Sequence, residues 1–157
     1  MKYHYFIGQK KFPFHLSVGA VLLNSKKKIY CHHLSGMKGK DAYLLMRETV
    51  KPGESLEKAL VRGLKKEFGA RAKLKGYLGS MISSFKNWQG AQVQKTTLYF
   101  LCKVVGVPKK VKWVEDHGSK GNKPEWKSAK FLIPQMEKQG RALKRTDFDE
   151  SDILKRI

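Results

Sequence analysis

The segment from Glu48 to Ala70, ETVKPGESLEKALVRGLKKEFGA, decides how this chain folds. Its first part ends in Lys51-Pro52-Gly53, a combination typical of a turn. The rest predicts a helix over Leu56–Phe68, because Ser55 is a good N-cap and Gly69 a good C-terminal stop. Apolar residues recur in this helix at the spacing of one face and are predicted to pack on the core. They are Leu56, Leu60, Val61, Leu64 and Phe68.

Seven other segments are rich in β-branched and aromatic residues and are predicted to be strands. They are Tyr3–Ile7, His15–Leu23, Ile29–Leu34, Ala42–Arg47, Lys73–Ser84, Thr96–Val105 and Ser128–Leu132. Two C-terminal helices are predicted, at Pro134–Leu143 and from Asp149 or Ser151 to Arg156. No internal repeat or low-complexity linker divides the chain. Residues 1–157 therefore predict one domain of the α/β (α+β) class.

The chain is strongly basic. It has 33 Lys and Arg against 13 Asp and Glu, a net charge of +20. Such a field attracts nucleotides, nucleic acid or an anionic surface, although scattered lysines also serve solubility. No apolar run reaches the ~18 residues of a membrane span, and Lys10 and Lys11 interrupt any leader-like stretch. Two isolated cysteines, Cys31 and Cys102, favour a reduced, cytoplasmic setting.

The spacing within the first segment resembles the Nudix box. That pattern asks for Gly, five residues, Glu, seven residues, and then Arg-Glu-aliphatic-any-Glu-Glu-any-Gly-aliphatic. The matching positions are Glu54, Arg62, Leu64, Glu67 and Gly69. The departures are Glu48 for Gly, Gly63 for Glu, Lys66 for Glu and Ala70 for a larger aliphatic residue. The similarity runs from about His15 to Phe131, and Glu125-Trp126 resembles an acidic–aromatic step late in many Nudix domains.

This resemblance implies a fold and an activity. The fold would be an α/β/α sandwich with a mixed sheet, with the box at 48–70 and C-terminal helices at about 134–157. The activity would be metal-dependent hydrolysis of nucleoside-diphosphate-type (pyrophosphate) substrates. Mg²⁺ or Mn²⁺ would be the cofactor, because box carboxylates supply the hard oxygen ligands that such ions prefer.

The resemblance also assigns roles to residues of this chain. Glu54 and Glu67 are the candidate catalytic groups, and they would hold metal together with Glu125. Arg62 and Lys66 are the candidate phosphate-binding groups. Two acidic and two basic side chains in the box sum to about zero charge, so metal binding and activity are expected to be weak.

Each of these residues also has a structural interpretation. In this interpretation Glu54 and Arg62 serve only as an ion pair between loop and helix, Lys66 points to solvent, and Glu125 is an exposed acid at a strand edge. Glu67 is then a surface acid paired with Arg71. The alternative function is a non-catalytic protein that binds nucleotide or RNA phosphates through Arg62, Lys66 and the lysine-rich loop at 106–124. A scaffold that keeps only the fold is the third.

Overall fold

The computed structural model describes residues 14–87, 89–112 and 121–157, so the predicted strand Tyr3–Ile7 lies outside the described residues. The strands are β1 (Phe14–Leu23), β2 (Ile29–Met37), β3 (Lys40–Leu44), β4 (Met46–Thr49), β5 (Arg71–Lys86), β6 (Gln92–Val105), β7 (Gly121–Asn122) and β8 (Glu125–Lys127). The α-helices are α1 (Leu56–Phe68), α2 (Ala129–Leu143) and α3 (Ser151–Leu154), with a 3-10 turn at Thr146–Phe148.

The strands form one mixed sheet in the order β3-β2-β1-β6-β5. β1 runs parallel to β6 and antiparallel to β2 and β4, and β5 and β6 form a long antiparallel pair. The short strands β7 and β8 pair with β2. A mixed sheet combined with helices confirms the predicted α/β (α+β) class.

Helices cover both faces of the sheet. Successive strand residues point to opposite faces, so Val18, Ala20 and Leu22 of β1 pack with α1. Val21 points the other way, into a cluster with residues of α2 and α3. The layers are therefore helix, sheet and helix. None of the helices in the described residues is long and apolar enough to cross a membrane.

Helix α1 has the predicted bounds because its signals are local. The Ser55 hydroxyl accepts a hydrogen bond from the Lys58 N–H at 3.2 Å, and Gly69 adopts a left-handed conformation with φ of 57°. One prediction for this helix is wrong: Val61 is 61% exposed. The buried face instead runs through Leu60 and Leu64, and a residue next to Leu60 is turned about 100° away from it around the helix axis.

Two other predictions are corrected. Ser128–Leu132 is not a strand: Ser128 caps α2, accepting from the Phe131 N–H at 3.2 Å, and the helix extends through Pro134 instead of beginning there. A short apolar run fits either a strand or a buried helix, which explains the error. The predicted strand Ala42–Arg47 is split into β3 and β4 at Leu45, whose N–H donates to a Glu150 carboxylate oxygen at 2.7 Å.

Candidate functional site

Arg62 fastens the loop before α1 to the helix. Its Nε and Nη2 atoms donate to the two oxygens of Glu54 at 2.9 and 2.8 Å, and Nη2 also donates to the Thr49 carbonyl at 2.7 Å. The Lys51 N–H adds a hydrogen bond to Glu54. The hydrogen bonds from Arg62, and then that from Lys51, lower the pKa of Glu54 to about 2. This is the ion pair between loop and helix that the sequence offered as an alternative to metal binding by Glu54.

Glu48 on β4 is the second acidic partner of Arg62. Its Oε1 lies 2.8 Å from Nη1 of Arg62 and its Oε2 lies 3.3 Å from Nζ of Lys66. The residue is only 7% exposed. Within the described residues, the buried Oε2 atom accepts no hydrogen bond of good geometry. The half-exposed Lys66 therefore forms an ion pair with a buried carboxylate, which corrects the interpretation that it simply points to solvent.

The position of Glu48 on β4 also explains why residue 63 of α1 is a glycine. A Cβ atom built on Gly63 would lie 2.7 Å from Cβ of Glu48 and 2.7 Å from Sδ of Met46. Real side chains do not approach this closely, so a glutamate at 63 cannot be accommodated beside Glu48 without a shift of β4. The two departures from the box, at 48 and at 63, are thus one structural feature.

Glu67 is buried, which corrects its interpretation as a surface acid. It is 5% exposed, and its Oε2 lies 2.8 Å from Nε2 of His32 on β2. The other ring nitrogen of His32 faces the amide nitrogen of Asn122 at 2.9 Å. An amide N–H₂ can only donate, so His32 accepts there and donates to Glu67 from Nε2. These two hydrogen bonds, from Asn122 to His32 and from His32 to Glu67, hold Glu67 in one orientation.

The structure does not bring Glu125 to the other candidate ligands. Its carboxylate contacts Nδ1 of His33 at 2.7 Å and Nζ of Lys127 at 3.4 Å. His32 and His33 are consecutive on β2, so their side chains point to opposite faces of the sheet. Glu125 consequently lies on the α2 side, whereas Glu67 lies on the α1 side.

A cleft of about 260 Å³ is lined mainly by residues of the sheet, with Glu67 from α1 and Arg145 and Asp147 from the segment after α2. Its charged lining consists of the acids Glu48, Glu67 and Asp147 and the bases Arg47, Lys95 and Arg145. His15, His32, Thr49 and Phe85 are among its other lining residues. The acids Glu48 and Glu67 come from β4 and α1, and the bases come from β4, β6 and the segment after α2. An anionic ligand with a bound cation would meet both signs of charge here.

Two basic groups of the cleft have unusual protonation. Burial, followed by the charges of Lys95 and Arg47, lowers the pKa of His15 to about 3, so His15 is neutral and hydrogen-bonds Thr49 at 2.9 Å. Burial, followed by Arg47, lowers the pKa of Lys95 to about 7. Lys95 therefore changes its charge near neutral pH.

The donor set can be compared with what a metal requires. In residues 14–87, 89–112 and 121–157, no three His, Cys, Asp or Glu side chains are grouped as metal ligands. Magnesium nevertheless commonly uses only one or two carboxylates and completes its shell with water and substrate phosphate. The cleft offers two buried carboxylates, Glu48 and Glu67, and one of their oxygens is without a hydrogen bond. These residues fit a Mg²⁺ or Mn²⁺ ion held by few protein ligands.

Several cleft residues were missed by the sequence analysis. Arg47, Lys95, Arg145 and Asp147 come from three parts of the chain, β4, β6 and the 3-10 turn with its cap, and they match no motif. Glu48 was noticed only as a departure from the box. The sequence did contain one signal for Glu48, which is the pair of departures at 48 and 63. The chain has an acid where the pattern has glycine, and a glycine where the pattern has an acid.

The comparisons with known proteins agree with this architecture. The sequence profile of the NUDIX domain matches residues 13–145, so the chain belongs to the NUDIX family. The structure is similar to that of the MutT protein from Methanosarcina mazei Go1, with a TM-score of 0.59, 20% identity and 90% of each chain covered. It is also similar to a NUDIX hydrolase from Nitrosomonas europaea, with a TM-score of 0.56 and 18% identity over 83% of this chain and 90% of that one. No curated protein is significantly similar in sequence.

The family match confirms the resemblance that the box indicated, and the two structures confirm the Nudix-type sandwich fold.

Proposed function

We propose that this chain hydrolyses substrates of the nucleoside-diphosphate type, slowly and with Mg²⁺ or Mn²⁺. The observation that carries the proposal is the cleft that the buried Glu67 lines together with three basic residues, Arg47, Lys95 and Arg145. Family membership supports hydrolysis as the reaction. The slow rate follows from the box, which has glycine and lysine at two positions where the pattern has acids.

The residues of the cleft would have separate roles in binding and hydrolysis. Arg47, Lys95 and Arg145 would attract and orient the diphosphate by charge. Glu67, oriented by His32, would accept a proton from the attacking water or help to hold the metal. A bound divalent ion would neutralise charge on the phosphoryl oxygens and acidify a water molecule. Glu54 and Arg62 would keep the loop in place, since the two hydrogen bonds between them join the loop to the helix.

Cleavage of a substrate panel, with the products separated by chromatography, tests this proposal. The panel contains nucleoside triphosphates, nucleotide sugars, dinucleoside polyphosphates and capped RNA, each assayed with Mg²⁺, with Mn²⁺ and with EDTA. We expect slow cleavage of at least one class into two phosphate-bearing products, abolished by EDTA. Binding of a nucleotide or RNA in EDTA, without cleavage in either metal, would instead support the non-catalytic alternative. A protein that neither binds nor cleaves any member of the panel would support the scaffold alternative.

Lys95 predicts a pH dependence of substrate binding. Because its pKa is about 7, Lys95 is charged at pH 6 and largely neutral at pH 8.5. Affinity for a nucleotide sugar in EDTA should fall as the pH rises through 7, by at most about tenfold per pH unit for one linked proton. The groups that set this pKa besides burial are Arg47, which lowers it, and Asp147, Glu150 and Glu67, which raise it.

A nucleotide sugar suits this titration because it lacks the phosphate monoester that ionises at about pH 6. Calorimetry from pH 6 to 8.5 would compare the wild type with Lys95→Arg, which stays charged and should show a flat profile. Lys95→Met should bind weakly at every pH. The assignment fails if the Lys95→Arg profile is as steep as that of the wild type.

A further inference from the structure

We infer that Glu48 is a second acidic residue of the active cleft, whose carboxylate replaces the one missing from helix α1 at position 63. Together with Glu67 it would hold the divalent cation on which the proposed hydrolysis depends. The inference rests on the proposed function and adds to it a residue that stands outside the acidic positions of the box. It also explains how an eroded box retains a place for a metal.

The first argument is the contact between positions 48 and 63. A Cβ atom built on Gly63 would lie 2.7 Å from the Cβ of Glu48, so side chains from the helix and from the strand compete for one space. The chain fills that space from β4, with Glu48, and leaves α1 bare at Gly63. Glu67 follows Gly63 by four residues and therefore lies one helical turn away on the same face. A carboxylate that starts at Glu48 thus reaches the surroundings that one from position 63 would reach.

The second argument is the burial of Glu48 and the state of its Oε2 atom. Burying a carboxylate is costly unless it is paired and hydrogen-bonded. Oε1 is paired with Arg62 at 2.8 Å, whereas Oε2 lies 3.3 Å from the ammonium of Lys66 and accepts no hydrogen bond of good geometry among the described residues. Buried polar atoms left in this way are uncommon and call for an explanation. A cation bound beside Oε2 in the cleft supplies one.

The third argument is that the loop does not need Glu48. Arg62 already makes three hydrogen bonds, two to Glu54 and one to the Thr49 carbonyl. These contacts join the loop, the end of β4 and the helix. A neutral residue at 48 would keep these three hydrogen bonds, although Nη1 of Arg62 and Nζ of Lys66 would lose their contacts with the carboxylate. The acid at 48 is therefore not needed to join the loop to the helix, and a ligand gives it a role.

Lys66 is the competitor for the same oxygen. Its ammonium lies 3.3 Å from Oε2, and the side chain is 49% exposed. A long, half-exposed lysine can turn toward solvent when a divalent ion with twice the charge arrives. Loading of the cleft would thus exchange one cation for another beside Glu48.

A reciprocal exchange of the two residues tests the inference. Mn²⁺ binding is measured directly by electron paramagnetic resonance, alongside cleavage of the substrate panel, for wild type, Glu48→Gln, Gly63→Glu and the double variant Glu48→Gly/Gly63→Glu. Glu48→Gln keeps the shape of the side chain, so it should fold and yet lose Mn²⁺ affinity by at least about tenfold, as expected for removal of a metal-site group. Gly63→Glu alone should be unstable, because two side chains then occupy one space.

The double variant should recover Mn²⁺ affinity to within about threefold of the wild type, well inside the tenfold expected for one lost metal-site group. The matched control is Glu57→Gln, an exposed acid in the first turn of α1 that does not line the cleft. It should change neither Mn²⁺ binding nor turnover. Circular dichroism and thermal unfolding establish that each variant is folded before its affinity is interpreted.

The two proposals fail in different ways. Unchanged Mn²⁺ affinity in Glu48→Gln, with a wild type that hydrolyses the panel in a metal-dependent manner, would overturn the inference and leave the proposed function standing. A Glu48-dependent Mn²⁺ site in a wild type that cleaves no member of the panel would overturn the proposed function only. A wild type that binds no Mn²⁺ would overturn the inference outright.

Discussion

Replacement of Glu150 by alanine is expected to lower the free energy of unfolding by about 3–5 kcal/mol, the usual cost of leaving buried partners of a charge uncompensated. Glu150 is completely buried just before α3. One carboxylate oxygen accepts from the Leu45 N–H at 2.7 Å and the other accepts from the hydroxyl of Tyr99. Nε of Arg47 lies 3.8 Å away. Alanine would leave the Leu45 N–H and the Tyr99 hydroxyl without this acceptor and would remove the carboxylate that faces Arg47.

Urea unfolding followed by circular dichroism measures this effect. Glu150→Gln is the informative comparison, because its carbonyl oxygen can replace one acceptor but not the charge that faces Arg47. It should lose less stability than the alanine variant. Asp152→Ala serves as the control, since it removes an exposed acid that pairs only with Lys155 among the described residues and should stay within about 0.5 kcal/mol of the wild type. A Glu150→Ala protein as stable as this control would contradict the prediction.

The parts of the fold that sequence predicts are those with local causes. The bounds of α1 follow from Ser55, Gly69 and an apolar repeat, all within fourteen residues or so of one another. The break of the strand at Leu45 has a distant cause, a hydrogen bond to Glu150, which no local pattern reveals. The start of α2 was misplaced for another reason. Proline favours the first turn of a helix, and Pro134 drew the predicted start past the true cap at Ser128.

The candidate site divides in the same way. The sequence places Glu54, Arg62, Lys66 and Glu67 by spacing, and the structure shows the contacts of each. The sequence could not show that side chains at positions 48 and 63 would occupy the same space, because this contact joins a strand to a helix across a turn. The basic residues of the cleft could not be predicted for the same reason. Arg47 and Lys95 meet only because β4 and β6 both pair with β1.

Glu67→Gln is expected to have the largest effect on activity. As a proposed catalytic group it should contribute about 10²–10⁴-fold to the rate, the range typical of a positioned acid or base. The amide oxygen of glutamine can still accept the hydrogen bond from Nε2 of His32, so the fold should be retained with a loss of about 1 kcal/mol. The measurement is kcat and KM in Mg²⁺ on whichever panel member the wild type hydrolyses fastest, with urea unfolding alongside.

The split between kcat and KM decides what Glu67 does. A group that acts on the attacking water should lower kcat and leave KM nearly unchanged, whereas a group that only shapes the cleft should raise KM. Lys66→Ala provides the opposite pattern to compare with it. If Lys66 contacts phosphate, its removal should weaken substrate binding in EDTA and make that binding less sensitive to salt. A Glu67→Gln protein with normal kcat would contradict the proposed catalytic role of Glu67. Loss of binding in Lys66→Ala, with no cleavage by the wild type, would instead support the non-catalytic phosphate binder.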